Sequence, residues 1–189
     1  MKREIYNIPN LLSLFRIFLV IPAGYLIIVS VESSRYLIAS ILVLMFFTDI
    51  LDGYIARKFN LISEIGKIID PLADKIAIGA VMTTFFWLGR IPVWFFVIVI
   101  LRDFLILLFG FILKKKVKIT LMSNYPGKIA ALSIGIILML TALKNENSEL
   151  LNFIVSLLYY ISTILIIYSS TLYFFRFKKT IGDQNYGRQ

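Results

Sequence analysis

Six apolar runs, each about the length that spans a bilayer as a helix, govern what this chain can become. They cover about residues 8–31, 36–57, 64–88, 93–113, 127–143 and 150–175. A helix satisfies its own backbone hydrogen bonds, so it is the form such runs take in lipid. The expected fold is an all-α integral membrane protein with six transmembrane helices. Composition agrees: 59% of the residues are hydrophobic and 16% are charged, against about a quarter charged in soluble domains. No Pro/Gly/Ser-rich linker and no internal repeat divides the chain, so one domain over 1–189 is expected. The opening MKREIYNIPN lacks a short apolar core with a small-residue cleavage site, so no removable signal peptide is expected.

Between the runs lie polar stretches: 32–35, 57–60 (followed by Ser63, a candidate helix cap), the turn Gly89-Arg90-Ile91-Pro92, the basic loop 114–118, and 144–149. The tail from Arg176 is polar and expected to fray. Six spans put both termini on one side. That side collects Lys2, Arg3, Arg57, Lys58, Lys67, Lys114, Lys115, Lys116, Lys118, Arg176, Lys178, Lys179 and Arg188. The other side has only Arg35, Arg90 and Lys144. The excess of Lys and Arg places both termini in the cytoplasm. It also accounts for the net charge of +9 without a nucleic-acid partner, and it suits anionic lipid headgroups.

The chain has no cysteine and no histidine. Disulfides, thiolate chemistry, the usual zinc sites and His-based acid–base catalysis are excluded. Acids must carry any chemistry, and they sit in one stretch, 48–75. At about 100° per residue, Asp49, Asp52, Gly53 and Ala56 fall on one stripe of span two. Gly66, Asp70 and Asp74 fall on one stripe at the start of span three. The connector between the two spans is short, so they are expected to be antiparallel neighbours with their acids at a similar depth. Four carboxylates cannot share a low-dielectric site uncompensated. Hard divalent cations resolve the conflict: Mg²⁺ or Mn²⁺, with Ca²⁺ also open. Two such ions would suit phosphoryl chemistry. The plain alternative is that each acid pairs with a nearby Lys or Arg, which explains one acid better than four.

Other residues carry two readings each. Gly53, Ala56 and Gly66 let helices or a ligand approach closely. Arg57 is a fork-shaped donor for a diphosphate, or simply a cytoplasmic topology charge. Pro71 leaves the carbonyl of Lys67 without its helical partner. Asn10, Ser13 and Arg16 share one face of span one, where Arg16 either snorkels to the interface or serves a site. Arg102 and Lys128 are cations within spans, suitable for a phosphate or for a structural pair.

The spacing Asp49-x2-Asp52-Gly53-x2-Ala56-Arg57-x8-Gly66-x3-Asp70-x3-Asp74 resembles the signature of the CDP-alcohol phosphotransferases at all eight positions. The resemblance extends to the length and six-span plan. It implies a homodimeric membrane enzyme that transfers a substituted phosphate from a CDP-alcohol to a hydroxyl acceptor and releases CMP. It implies two divalent ions on Asp49, Asp52, Asp70 and Asp74, with Asp74 as general base. It implies a CDP site lined by Asp52, Gly53, Ala56, Arg57 and Gly66, to which Ser13 is added as a candidate.

The opening Ile8-Pro9-Asn10-Leu11-Leu12-Ser13-Leu14-Phe15-Arg16 resembles bacterial phosphatidylglycerophosphate synthases. This implies CDP-diacylglycerol as donor and glycerol-3-phosphate as acceptor, at the cell (inner or plasma) membrane. Arg102 and Lys128 become candidates for the acceptor phosphate. The stretch Arg102-Asp103-Phe104-Leu105-Ile106 is more similar to cardiolipin synthases of the family, which use phosphatidylglycerol. That acceptor stays open. A divalent-cation transporter fits less well, because the acids lie at helix ends and paired half-helix breaks are missing. A non-catalytic scaffold gives no reason for four acids beside Arg57.

Overall fold

The structure is a computed structural model and describes residues 8–29, 32–59, 66–117, 125–144 and 148–186. Its regular elements are helical: α1 (Ile8–Val29), a 3₁₀ turn (Glu32–Ser34), α2 (Arg35–Lys58), α3 (Gly66–Trp87), α4 (Val93–Val117), α5 (Tyr125–Leu143) and α6 (Glu149–Tyr186). Ser63 and its connector 60–65, Lys2, Arg3, Lys118 and Arg188 lie outside the described residues.

Each expected span finds its helix, and the ends differ for physical reasons. Pro22 and position 71 do not interrupt α1 and α3. Gly89 closes the turn after α3 with a positive φ of 69°, a conformation open to glycine. There Gly89 N donates to Phe86 O and Arg90 N to Phe85 O, each at 2.9 Å, so two terminal carbonyls of α3 are satisfied. α4 runs on through Lys114, Lys115 and Lys116, cations favoured at a helix C-terminus. α6 corrects the expected frayed tail, continuing as helix from Arg176 to Tyr186. No proline stops it there, Thr180 Oγ1 bonds back to Arg176 O at 2.9 Å, and the Phe177 ring packs 4.6 Å from that of Phe109.

Among the described residues, five helices are long and apolar enough to cross a membrane: α1, α2, α5, the Val93–Gly110 part of α4 and the Glu149–Lys178 part of α6. α3 falls short of that apolarity because Asp70, Asp74 and Lys75 sit inside it.

The chain forms two compact units. One takes in the chain through Ile91 together with Leu138–Glu149; the other takes in Pro92–Ile137 and the chain from Leu150. In the first unit the extensive packing is α1 on α2 and α1 on α3, rather than α2 on α3 as expected from the connector. α1 is therefore the common partner of both acid-bearing helices. Its buried residues recur every three or four positions: Pro9, Asn10, Ser13, Arg16, Leu19, Ala23 and Ile27. α3 presents buried Ala73, Ala77, Val81 and Phe85 at the same spacing. Small residues such as Ala23, Ala73 and Ala77 allow close helix approach, which matters where lipid removes most of the hydrophobic drive. The other face of α1 is open: Phe18, Ile21, Tyr25 and Ile28 are each more than 60% exposed. Such a contiguous apolar face is rare on a soluble protein and costs nothing against acyl chains.

In the second unit, Ser162 Oγ on α6 donates to Ser133 Oγ on α5 at 2.6 Å, a buried polar tie between apolar helices. Trp94 and Phe95 of α4 pack on Tyr159 and Tyr160 of α6, with the Trp94 and Tyr160 rings stacked at 5.6 Å. A groove of about 460 Å³ runs between α4 and α6, walled by Leu105, Phe109, Ile166 and Phe174, with Arg102 on its lining.

Candidate active site

The four aspartates come together around a side chain from α1. Arg16 is 3% exposed, so it does not snorkel. Its position one to two turns after Asn10 and Ser13 carries it on the buried stripe into the acid-bearing ends of α2 and α3. Arg16 Nη2 donates to Asp52 Oδ2 at 2.5 Å. Nη1 lies 3.3 Å from Asp49 Oδ1 and also contacts Asp74 Oδ1. Ser13 Oγ is fully buried and lies 2.7 Å from Asp70 Oδ1, 3.3 Å from Asp52 Oδ2 and 3.1 Å from Pro9 O. A hydroxyl has one proton to donate, and Asp70 is the nearest acceptor.

The acids are not equivalent. Asp52 is 4% exposed and stands beside Thr48 on the buried stripe of α2. The side chains of Asp49 and Asp74 are 48% and 36% exposed. Asp49 and Asp74 thus face outward at the rim of the cluster, while Asp52 forms its floor. The sequence signature treats the four alike; the depth of each is set by helix rotation.

Of the remaining signature residues, Gly53, Ala56 and Arg57 follow Asp52 along α2, and Gly66 belongs to α3. Arg57 Nε donates to Gly53 O at 2.9 Å, so this exposed guanidinium lies along its own helix. A Cβ on Gly53 would meet Arg57 Nη2 at 3.8 Å, an ordinary contact. Ala56 is half-buried, and Gly66 opens α3. Lys58 reaches back over the Tyr54 ring at 5.3 Å.

A model of the CDP-alcohol phosphatidyltransferase family matches residues 6–172, nearly the whole chain and all of this cluster. The chain belongs to that family. It is 35% identical over 167 residues to the CDP-diacylglycerol–glycerol-3-phosphate 3-phosphatidyltransferase of Aquifex aeolicus (strain VF5), covering 86% of this chain and 91% of that one. It is 43% identical over 75 residues to the protein of the same name in Rickettsia typhi (strain ATCC VR-144 / Wilmington), covering 40% and 42%. It is 34% identical over 114 residues to a probable cardiolipin synthase (CMP-forming) of Drosophila melanogaster, covering 60% and 34%.

In this phosphatidyltransferase, one guanidinium contacts three of four clustered carboxylates. The acids therefore outnumber the cation that joins them, and their oxygens are hard donors. This donor set fits Mg²⁺ or Mn²⁺. Among the described residues, no three acidic side chains converge closely enough to hold one ion; their oxygens turn toward Arg16 and Ser13 instead. Asp49, Asp52, Asp70 and Asp74 are the residues that would hold the cations.

The acceptor candidates lie in the other unit. Arg102 Nη1 bonds Asp103 Oδ1 at 2.7 Å, and Nη2 reaches Gly127 O at 3.5 Å. Arg102 thus has a local partner and also borders the α4–α6 groove. Lys128 is exposed, with Nζ 5.8 Å from the centre of the Tyr125 ring.

The sequence undervalued Arg16. The signal was present in Asn10, Ser13 and Arg16 on one face, but a residue near a helix start can equally reach the interface. Only the packing of α1 against both α2 and α3 decides between the two.

Proposed function

We propose that this phosphatidyltransferase moves the phosphatidyl group of CDP-diacylglycerol onto the hydroxyl of glycerol-3-phosphate and releases CMP. The observation that carries the reading is that Asp49, Asp52, Asp70 and Asp74 gather around Arg16 and Ser13 in the first unit. The similarity to the Aquifex aeolicus enzyme over most of both chains supports the choice of donor and acceptor.

In this reading two divalent cations, Mg²⁺ or Mn²⁺, bind the aspartates and offset charge on the diphosphate as CMP departs. Asp74, at the exposed rim, is the general base that takes the acceptor proton. Ser13, Gly53, Ala56, Arg57 and Gly66 line the nucleotide side. Arg102 and Lys128 take the acceptor phosphate.

All six helices span the membrane, α3 with its charges held at the cluster. The Lys and Arg bias supports cytoplasmic termini and a cytoplasmic active site, where a soluble acceptor and a lipid donor both arrive. The setting is the inner or plasma membrane, and the working form is a homodimer.

A second reading, cardiolipin synthase with phosphatidylglycerol as acceptor, is favoured by one observation. Arg102 borders an apolar groove, as suits a lipid headgroup with its acyl chain alongside.

Purified protein with Mg²⁺ and radiolabelled CDP-diacylglycerol, offered glycerol-3-phosphate, phosphatidylglycerol, serine or inositol phosphate, tests both. Label on glycerol-3-phosphate is expected. Transfer to phosphatidylglycerol alone moves the assignment to cardiolipin synthase, and no CMP release with any acceptor sinks the enzyme reading.

A further inference from the structure

Arg16 is not one of the eight signature positions, yet it touches three of the four acids. Its two ends differ. Nη2 meets Asp52 where both side chains are about 95% buried. Nη1 lies between Asp49 and Asp74, whose side chains are 48% and 36% exposed although Nη1 and Asp74 Oδ1 are themselves buried. The oxygens that Nη1 holds belong to acids read above as cation ligands, and two cations cannot share them without repulsion.

We propose that Arg16 is a built-in counter-cation of the aspartate cluster: a positioning residue whose Nη1 competes with a divalent ion for Asp49 and Asp74 while Nη2 stays on Asp52. This rests on the reading of the aspartates as cation ligands. Arg16 holds like charges on α2 and α3 against one another, and an arriving ion takes over the rim pair. The buried contact with Asp52 keeps α1 docked throughout. The guanidinium thereby sets how tightly the first ion binds, because that ion must displace Nη1 from two carboxylates.

The test is Mn²⁺ binding to the full chain in detergent, read from the free-ion electron paramagnetic resonance signal, for wild type, Arg16→Gln and Arg16→Lys. Gln removes the charge at similar reach, so Arg16→Gln is expected to bind Mn²⁺ at least about tenfold tighter than wild type. Arg16→Lys keeps the charge and stays within about twofold of wild type. In EDTA, Arg16→Gln melts below wild type, and saturating Mn²⁺ removes most of that gap. A merely structural arginine predicts lost stability without tighter binding. Unchanged or weaker Mn²⁺ affinity in Arg16→Gln overturns the proposal while leaving the cation reading intact. So does an Arg16→Gln chain that stays unfolded when prepared in saturating Mn²⁺. No Mn²⁺ binding by wild type overturns both.

Discussion

Neutralising Asp52 and neutralising Asp49 should have very different structural costs, although the two stand one turn apart in the same motif. Asp52 and Arg16 form a pair at 2.5 Å with side chains only 5% and 4% exposed. Removing one partner of a buried pair strands the other and costs about 3–5 kcal/mol. Asn keeps the volume and one acceptor oxygen, and Arg16 keeps Asp49 and Asp74, so the expected loss for Asp52→Asn is about 2–3 kcal/mol. Asp49 sits 3.3 Å from Arg16 with its side chain 48% exposed, where water screens the pair. For Asp49→Asn the expected loss is about 0.2–1 kcal/mol. A difference of about 2 kcal/mol corresponds to roughly 4–8 °C in melting temperature for a chain of this size. The assay is thermal unfolding in detergent with EDTA present, so that bound cations mask nothing. The reporters are Trp87 and Trp94, since the chain has no cysteine to label. Both variants should lose transferase activity, so the contrast lies in stability alone. Melting temperatures within about 1 °C of each other, or a larger drop for Asp49→Asn, refute the buried-floor, exposed-rim arrangement.

Asp74→Asn should abolish turnover, by about 10²–10⁴-fold or more, while CDP binding changes little, as judged by labelled CDP retained on the purified variant; a normal rate removes Asp74 as the base. Ala77, 1% exposed on the buried stripe of α3, leaves no space for bulk. Ala77→Leu should cost about 1–3 kcal/mol and push α1 from α3, lowering activity together with melting temperature, whereas a stable and active variant would show that the stripe is not tightly packed.

Much of this arrangement is written along the chain. The i, i+3, i+4 spacing of Asp49, Asp52, Gly53, Asp70 and Asp74 fixes which residues share a helix face, because local helical geometry depends only on position. Length and apolarity fix six helices for the same reason, and Gly89 marks the end of α3 because few other residues accept its φ. The tail was less legible: Arg176 to Tyr186 is polar enough to read as loose, yet Phe177 finds Phe109 and the helix continues.

What sequence alone determined, then, is the set of helices, the acid-bearing faces and the family signature, all of them short-range properties. What the tertiary structure decided is which helix meets those faces. Periodicity says that Ser13 and Arg16 share a stripe; it does not say that α1 is the partner of both α2 and α3. That choice depends on the fit of Ala23, Ala73, Ala77 and their neighbours, residues far apart in the chain. It is this packing that buries Arg16 among the aspartates, gives Asp70 its hydroxyl donor, and makes Asp52 the floor and Asp49 the rim of a site whose four acids look alike on the page.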